Sequence, residues 1–350
     1  MRCIPSAASR AGRPPVKKVQ IAQFGEPEDV AECVECPEVG APAADEVVFD
    51  VLAFPINPAD ISFCQGRYRL KPELPATPGA EGAGRVVAAG SAVTGVKPGD
   101  LVINLDRQNW AQRCRIKANR VVVLPRETDV LQAAMIRINP PAAMLLLSDI
   151  VADLGPGDWI IQNVANSAVG KLVTLFARER NLHTINVVRR DDAFRELHDD
   201  AAGAWVVDGP NLAASVAAIT NNAPVRLGID AVAGSATSRI ASCVVDGGTV
   251  CIYGAMSGED MAIPASELVF RGIEIKGFLL GRHLEQRSAL EIGQIYSQIA
   301  ERVRDGRINT SVARIYSIDD IKGALAHARR GGRGGKVLVA PNGLNALSDG

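Results

Sequence analysis

The sequence predicts an α/β protein of two folded units, a β-barrel-like unit into which a doubly wound parallel sheet is inserted. Three observations carry that expectation. From about residue 16 to 123, short β-branched runs alternate with Pro, Gly, Asp and Asn, as in Val47–Leu52, Gly84–Ala89, Leu101–Asn104 and Arg120–Leu124; this is the spacing of an all-β unit. After about Leu131 the texture turns to strand, helix, strand, which implies a parallel sheet with crossover helices. From about Arg307 the β texture returns and ends in Gly334-Gly335-Lys336-Val337-Leu338-Val339, so the last segment is expected to rejoin the first unit. The expected boundaries are a flexible N-terminus over 1–15, the first unit over 16–135 and 307–350, and the second over 136–306.

The elements follow in order. Residues 1–25 hold no acid and five basic residues, Arg2, Arg10, Arg13, Lys17 and Lys18, a faint likeness to a transit peptide. Pro14 and Pro15 would break an amphipathic helix there, and Val16–Gln23 already reads as a strand. A cytoplasmic location is expected, with mitochondrial import as the alternative. Pro55, Pro58, Pro72, Pro75 and Pro78 crowd one segment, which must be a shaped loop, the kind of segment that often carries sites. In the second unit Asp158–Val164 reads as a strand. Val169, Leu172, Val173 and Phe176 then fall at i, i+3, i+4 and i+7, one apolar stripe of a helix. Thr184–Val188, Trp205–Asp208, Leu227–Val232 and Thr249–Tyr253 read as further strands.

Composition excludes several classes. The 350 residues carry 38 Lys and Arg against 39 Asp and Glu, a net charge of -1, which argues against nucleic-acid partners. No apolar run approaches the ~20 residues needed to span a bilayer, so a membrane partner is not expected. The seven cysteines are scattered, and none of the four histidines lies within four residues of another or of a cysteine; no metal is expected.

Between the Asp158 strand and its helix lies Asn163-Val164-Ala165-Asn166-Ser167-Ala168-Val169-Gly170. Small residues there let a backbone approach a pyrophosphate, and the helix N-terminus offers free amides to its charge. Only Gly170 represents the usual three glycines, but strand, turn, helix and second strand fall within about 30 residues, as such a unit requires. After the second strand, Val188 is followed by Arg189-Arg190-Asp191-Asp192. Arginine at that position pairs with the 2′-phosphate of NADP, whereas an acid holds the ribose hydroxyls of NAD. Arg189 comes first, so NADPH is the expected cofactor; Asp191 as a reader of NAD and plain solvated charge are the alternatives.

These residues resemble the medium-chain dehydrogenase/reductase superfamily, with a GroES-like barrel and an inserted Rossmann sheet, and within it the zinc-independent, mitochondrial-type 2-enoyl thioester reductases. The resemblance is carried by Ala53-Phe54-Pro55-Ile56-Asn57-Pro58-Ala59-Asp60, Gln65-Gly66-Arg67-Tyr68, Pro72-Glu73-Leu74-Pro75-Ala76, Gln162–Ser167, His183–Arg189 and Tyr253-Gly254-Ala255-Met256. It covers roughly Val16–Val339. Zinc enzymes of the superfamily have a Gly-His-Glu motif where this chain reads Gly79-Ala80-Glu81, and no thiolate replaces the ligand in Asn57-Pro58-Ala59-Asp60. Alcohol dehydrogenase chemistry is therefore not expected.

The resemblance implies NADPH-dependent reduction of the C=C bond of 2-enoyl thioesters. Tyr68 stands at the family's catalytic tyrosine and would protonate the α-carbon; a phenol stays protonated near pH 7. A packing tyrosine is the other reading of Tyr68. Asn57 would be a hydrogen-bonding neighbour in catalysis, or an Asx-turn before Pro58. The cofactor-binding set is Asn163, Asn166, Ser167, Ala168, Val169, Gly170, Arg189, Arg190, Tyr253, Gly254, Ala255 and Met256. Arg67, Arg69 and Lys71 would meet the phosphates of a CoA or phosphopantetheine arm, or form an exposed charged loop. Ala168 replaces a family glycine, the family's tryptophan is missing from Gly277–Gly281, and Pro141-Ala142-Ala143 lacks an expected threonine and aromatic; these departures bear on the acyl substrate. A quinone or α,β-unsaturated ketone reductase, and a non-catalytic NADPH-binding protein, are the alternative functions. A homodimer is implied, with an edge strand expected within Gly247–Gly258.

Overall fold

The computed structural model describes residues 15–190 and 203–347. The expected flexible N-terminus lies, apart from Pro15, outside the described residues, as do Asp191 and Asp192. The strands in chain order are β1 (Val16–Ile21), β2 (Ala31–Cys36), β3 (Glu46–Pro55), β4 (Ala83–Ala89), β5 (Leu101–Asn104), β6 (Arg113–Lys117) and β7 (Val121–Val123). Next come β8 (Trp159–Gln162), β9 (His183–Val188), β10 (Ala204–Val207), β11 (Val225–Asp230), β12 (Thr249–Ile252) and β13 (Glu274–Gly277), and finally β14 (Val312–Ser317) and β15 (Lys336–Ala340).

The chain divides into two compact units, residues 1–137 with 296–350, and residues 138–295. The chain returns to the first unit at Tyr296 rather than Arg307, inside the helix Ala289–Arg304. At that point Tyr296 is fully buried and its hydroxyl donates to the Arg137 carbonyl at 2.8 Å.

In the first unit β14, β15, β3, β4, β5 and β7 form one sheet in that order, with β6 also paired to β3, while β1 and β2 form a separate hairpin. β15 pairs antiparallel with β3, Leu338 opposite Pro55, so the C-terminal segment does rejoin the N-terminal sheet. Its core is built on Phe49, Phe54 and Trp110, with the rings of Phe54 and Trp110 stacked at 5.7 Å.

In the second unit six parallel strands run in the order β10-β9-β8-β11-β12-β13. Counted within the unit this is 3-2-1-4-5-6, the doubly wound order whose direction of winding reverses beside its first strand. Ligands of such sheets bind beyond the carboxyl end of that strand. β8 stops at Gln162, two residues short of its expected end, because Val164 adopts φ 51° and starts the turn. The expected edge strand proves wrong: β12 is interior, paired on both sides, and the edge is β13. Apolar content marks a strand, whereas its place in a sheet depends on what pairs beside it.

Candidate active site

Tyr68 owes its position to a helix end. The helix Pro58–Cys64 finishes with Gly66 at φ 68°, Gly66 N–H donating to the Phe63 carbonyl at 3.0 Å and Arg67 N–H to the Ser62 carbonyl at 2.9 Å. This pair of bonds closes a Schellman turn, which needs the left-handed conformation that glycine adopts without penalty. A Cβ on Gly66 would also sit 2.8 Å from the Phe24 ring. Tyr68 follows, half-buried against the core of the unit, with its backbone N–H on Ser62 O at 3.0 Å. Its hydroxyl has no hydrogen-bond partner among the described residues, and the Arg107 guanidinium lies 4.5 Å from its ring centroid. Arg67, Arg69 and Lys71 flank it, all exposed.

The start of the same helix is tied into a buried ionic cluster. Asn57, 4% exposed, donates its backbone N–H to Asp60 Oδ2 at 3.0 Å and its Nδ2 to Glu81 Oε1 at 2.8 Å. Its Oδ1 accepts from Lys336 Nζ. Asp60 Oδ1 accepts from the Ala80 N–H at 2.8 Å, and Arg137 donates to the carbonyls of Ala80 and Leu105. Burial pushes the Asp60 and Glu81 carboxyls up and the Lys336 ammonium down, each opposed by the charges facing it. Both polar ends of the Asn57 side chain are thus bonded inside the protein, and as the residue that caps the helix it organises the cluster. The sequence reading missed Asp60, Glu81, Arg107, Arg137 and Lys336. The acid three positions after Asn57 was the available signal for Asp60, since it marks a capped helix start.

In the second unit, Ser167 caps the helix Ala168–Glu179, its hydroxyl accepting from Gly170 N–H at 3.1 Å. A Cβ on Gly170 would lie 2.6 Å from the Ala165 backbone, so glycine is what lets the helix start this close to the turn. Asn166 is exposed, while Ser167, Ala168 and Val169 are half-buried at the helix N-terminus. The Asn163 side chain is likewise bonded within the protein. Its Nδ2 donates to Asp230 Oδ1 at 2.6 Å and its Oδ1 accepts from Ala231 N–H at 2.8 Å, so its side chain ties the end of β8 to the end of β11. Tyr253, whose N–H donates to the Asp230 carbonyl at 3.0 Å, has its phenol pushed up to about 12 by burial, against a hydrogen bond with Ser167. Gly254 runs close to Ala231, and Ala255 and Met256 are exposed beyond it. Arg189 and Arg190 are exposed at the tip of β9. The turn, the Tyr253 segment and the arginines thus follow the carboxyl ends of β8, β12 and β9, three strands of one parallel sheet. Phe278 is buried against the His283 ring, with centroids 4.5 Å apart.

Residues 43–137 match the family described as alcohol dehydrogenase GroES-like domain, and residues 168–294 that described as zinc-binding dehydrogenase. The chain is 32% identical over 330 residues to the Bos taurus protein named enoyl-acyl-carrier-protein reductase, mitochondrial, covering 92% of this chain and 88% of that one. The chain belongs to the enoyl thioester reductases of the medium-chain dehydrogenase/reductase superfamily. A Dictyostelium discoideum enoyl-acyl-carrier-protein reductase is 30% identical, covering 92% and 94% of the two chains. In fold, an enoyl thioester reductase from Candida tropicalis (a mutant form) superposes with a TM-score of 0.82 at 24% identity, covering 94% of this chain and all of that one. A putative NADPH:quinone reductase from Bacillus thuringiensis gives 0.85 at 24%, covering 94% and 99%. As an enoyl reductase the protein is an oxidoreductase acting on C=C bonds. Among the described residues of this enoyl reductase, no three of His, Cys, Asp and Glu gather as a metal site, and no helix is long and apolar enough to cross a membrane.

Proposed function

We propose that the protein reduces the C=C bond of 2-enoyl thioesters with NADPH, and that Tyr68 protonates the α-carbon. The observation that carries this reading is the placement of Tyr68: a phenol held by a glycine-terminated helix end, with no acceptor for its hydroxyl among the described residues. When bound, NADPH supplies a hydride to the β-carbon and leaves as NADP⁺. The thioester oxygen carries the enolate charge that hydride addition leaves, Tyr68 gives its phenolic proton to the α-carbon to neutralise it, and the resulting phenolate regains a proton from water. The Ser167-capped helix N-terminus receives the pyrophosphate, and Arg189 the 2′-phosphate. Arg67, Arg69 and Lys71 meet the phosphates of the thioester's arm. Support comes from the names of the relatives and from the Etr1p complex with NADP and crotonyl-CoA, whose fold this chain shares with a TM-score of 0.82.

The test is a panel of crotonyl-CoA, a longer 2-enoyl-CoA and a soluble quinone, each with NADPH and NADH. Both enoyl thioesters are expected to turn over, and NADPH to be preferred by about ten- to a hundredfold, the value of one charge-assisted contact. Arg189→Ala is expected to erase that preference. Quinone reduction without enoyl turnover would assign the protein to quinone reductase chemistry instead. Tight NADPH binding with no acceptor reduced would leave only a binding role.

We also propose a homodimer that pairs through β13. All but Ile275 of this edge strand is exposed, and the helix leading into it ends in Val269 and Phe270, 71% and 83% exposed, an apolar display that implies a covered face. Sedimentation is expected to give a dimer, and Phe270→Glu a monomer. A monomeric parent protein would remove the proposal.

A further inference from the structure

We infer that Arg107 is a positioning residue for Tyr68: a guanidinium laid on the phenol ring by a loop that two buried asparagines hold in place. The inference rests on the assignment of Tyr68 as the acid. Arg107 is half-buried, 4.5 Å from the Tyr68 centroid and 5.8 Å from that of Phe63. It makes no ion pair or hydrogen bond among the described residues; besides the two rings, its charge faces the buried Asp60 carboxyl, which it helps to keep ionised. A planar cation on an aromatic face is attracted by the partially negative face of the ring's quadrupole and limits how that ring can turn.

The loop that presents it is rigid by construction. Asn104 and Asn109 are both fully buried. Asn104 Oδ1 accepts from Asp106 N–H at 2.7 Å, and its Nδ2 donates to Asn109 Oδ1 at 3.0 Å. Asn109 Nδ2 donates to the Asp106 carbonyl at 3.0 Å and the Gly79 carbonyl at 3.2 Å. Asp106 accepts from Arg120 Nε at 2.8 Å, and Arg137 holds the Leu105 carbonyl. Gly79 permits this contact, since a Cβ there would lie 2.6 Å from Trp110 N. Gln108, beside Arg107, is held at φ 75°, a left-handed conformation that non-glycine residues keep only where surrounding structure over-determines it. Asn104, Asp106 and Asn109 are thus anchored to the framework on either side of Arg107, whose guanidinium reaches out to the Tyr68 ring. Proton delivery to one carbon demands that kind of orientation, because a misplacement of about 1 Å can cost about a hundredfold in rate.

The test pairs kinetics with a direct view of the ring. Arg107→Met and Arg107→Lys are made in the parent protein and in Tyr68→Phe, and assayed with crotonyl-CoA and NADPH. Arg107→Met is expected to lower kcat about tenfold with KM for crotonyl-CoA within about twofold, and Arg107→Lys to recover part of the loss. In Tyr68→Phe the same change is expected to do nothing further. Equal losses in both backgrounds, a rise in KM alone, or no loss while Tyr68→Phe is crippled would each overturn the inference. Incorporated 3-fluorotyrosine labels the four tyrosines of the chain, and the Tyr68 signal is the one missing from Tyr68→Phe. That signal is expected to shift or broaden in Arg107→Met while the other three stay put. An unmoved signal overturns the positioning role whatever the kinetics. A full rate in Tyr68→Phe overturns the acid assignment, a separate failure that the shifted signal would survive.

Discussion

Tyr68→Phe is expected to lower turnover by at least about a hundredfold while leaving NADPH affinity nearly unchanged, because general acid catalysis typically contributes about 10²–10⁴-fold. The change keeps the ring on the core and under the Arg107 guanidinium, so it removes the acidic hydrogen and little else. The hydroxyl has no partner among the described residues, hence no buried group is left unsatisfied and the melting temperature should hardly move. Steady-state rates with crotonyl-CoA, a cofactor titration and a melting curve together check the result. A variant that melts and binds NADPH normally and still works at near full rate would mark Tyr68 as a packing residue.

Lys336→Met is expected to destabilise the protein by about 3–5 kcal/mol, the usual cost of removing one partner from a buried charge cluster. Lys336 is 8% exposed, donates to Asn57 Oδ1, and faces the buried Glu81 and Asp60. Without its ammonium, the Asn57 carbonyl loses its donor, and the two carboxyls keep only the arginines against them. The loss should reach the helix that carries Tyr68, since Asn57 begins that helix. Adding Glu81→Gln to Lys336→Met is expected to recover at least half of the lost stability, because it removes the charge left unpaired. Chemical denaturation of the parent, both single variants and the double variant measures this. Simple additivity of the two losses would show that the charges do not compensate one another.

Much of the architecture was legible in the chain because its signals are local. The β-branched runs between Val47 and Leu124 became strands, and the stripe Val169, Leu172, Val173 and Phe176 became the helix Ala168–Glu179. The proline-crowded segment expected to be loop instead holds the helix Pro58–Cys64, since Pro58 sits at the first helical position, where proline is tolerated; Ser167 lies at the helix start that the small-residue turn marks. Each of these depends on residues within about a turn of one another, where spacing and conformational preference decide.

The identities of Asn57 and Asn163 pointed to the site, and their tasks did not follow from the sequence. Asn57 is occupied by Glu81 and by Lys336, 279 residues away, and Asn163 by Asp230 and Ala231. The same holds for Tyr296, whose hydroxyl the Arg137 carbonyl takes up, and for β13, which among the described strands pairs with β12 alone. By itself, then, the sequence determined the two-unit fold and the small-residue turn at the end of β8, and its resemblance to the family singled out Tyr68. Only the tertiary structure decided which polar groups are consumed in holding those parts in place and which remain to meet a ligand. The reason is physical: a buried hydrogen bond or ion pair is chosen by which chain segments meet, and neither periodicity nor local propensity carries that information.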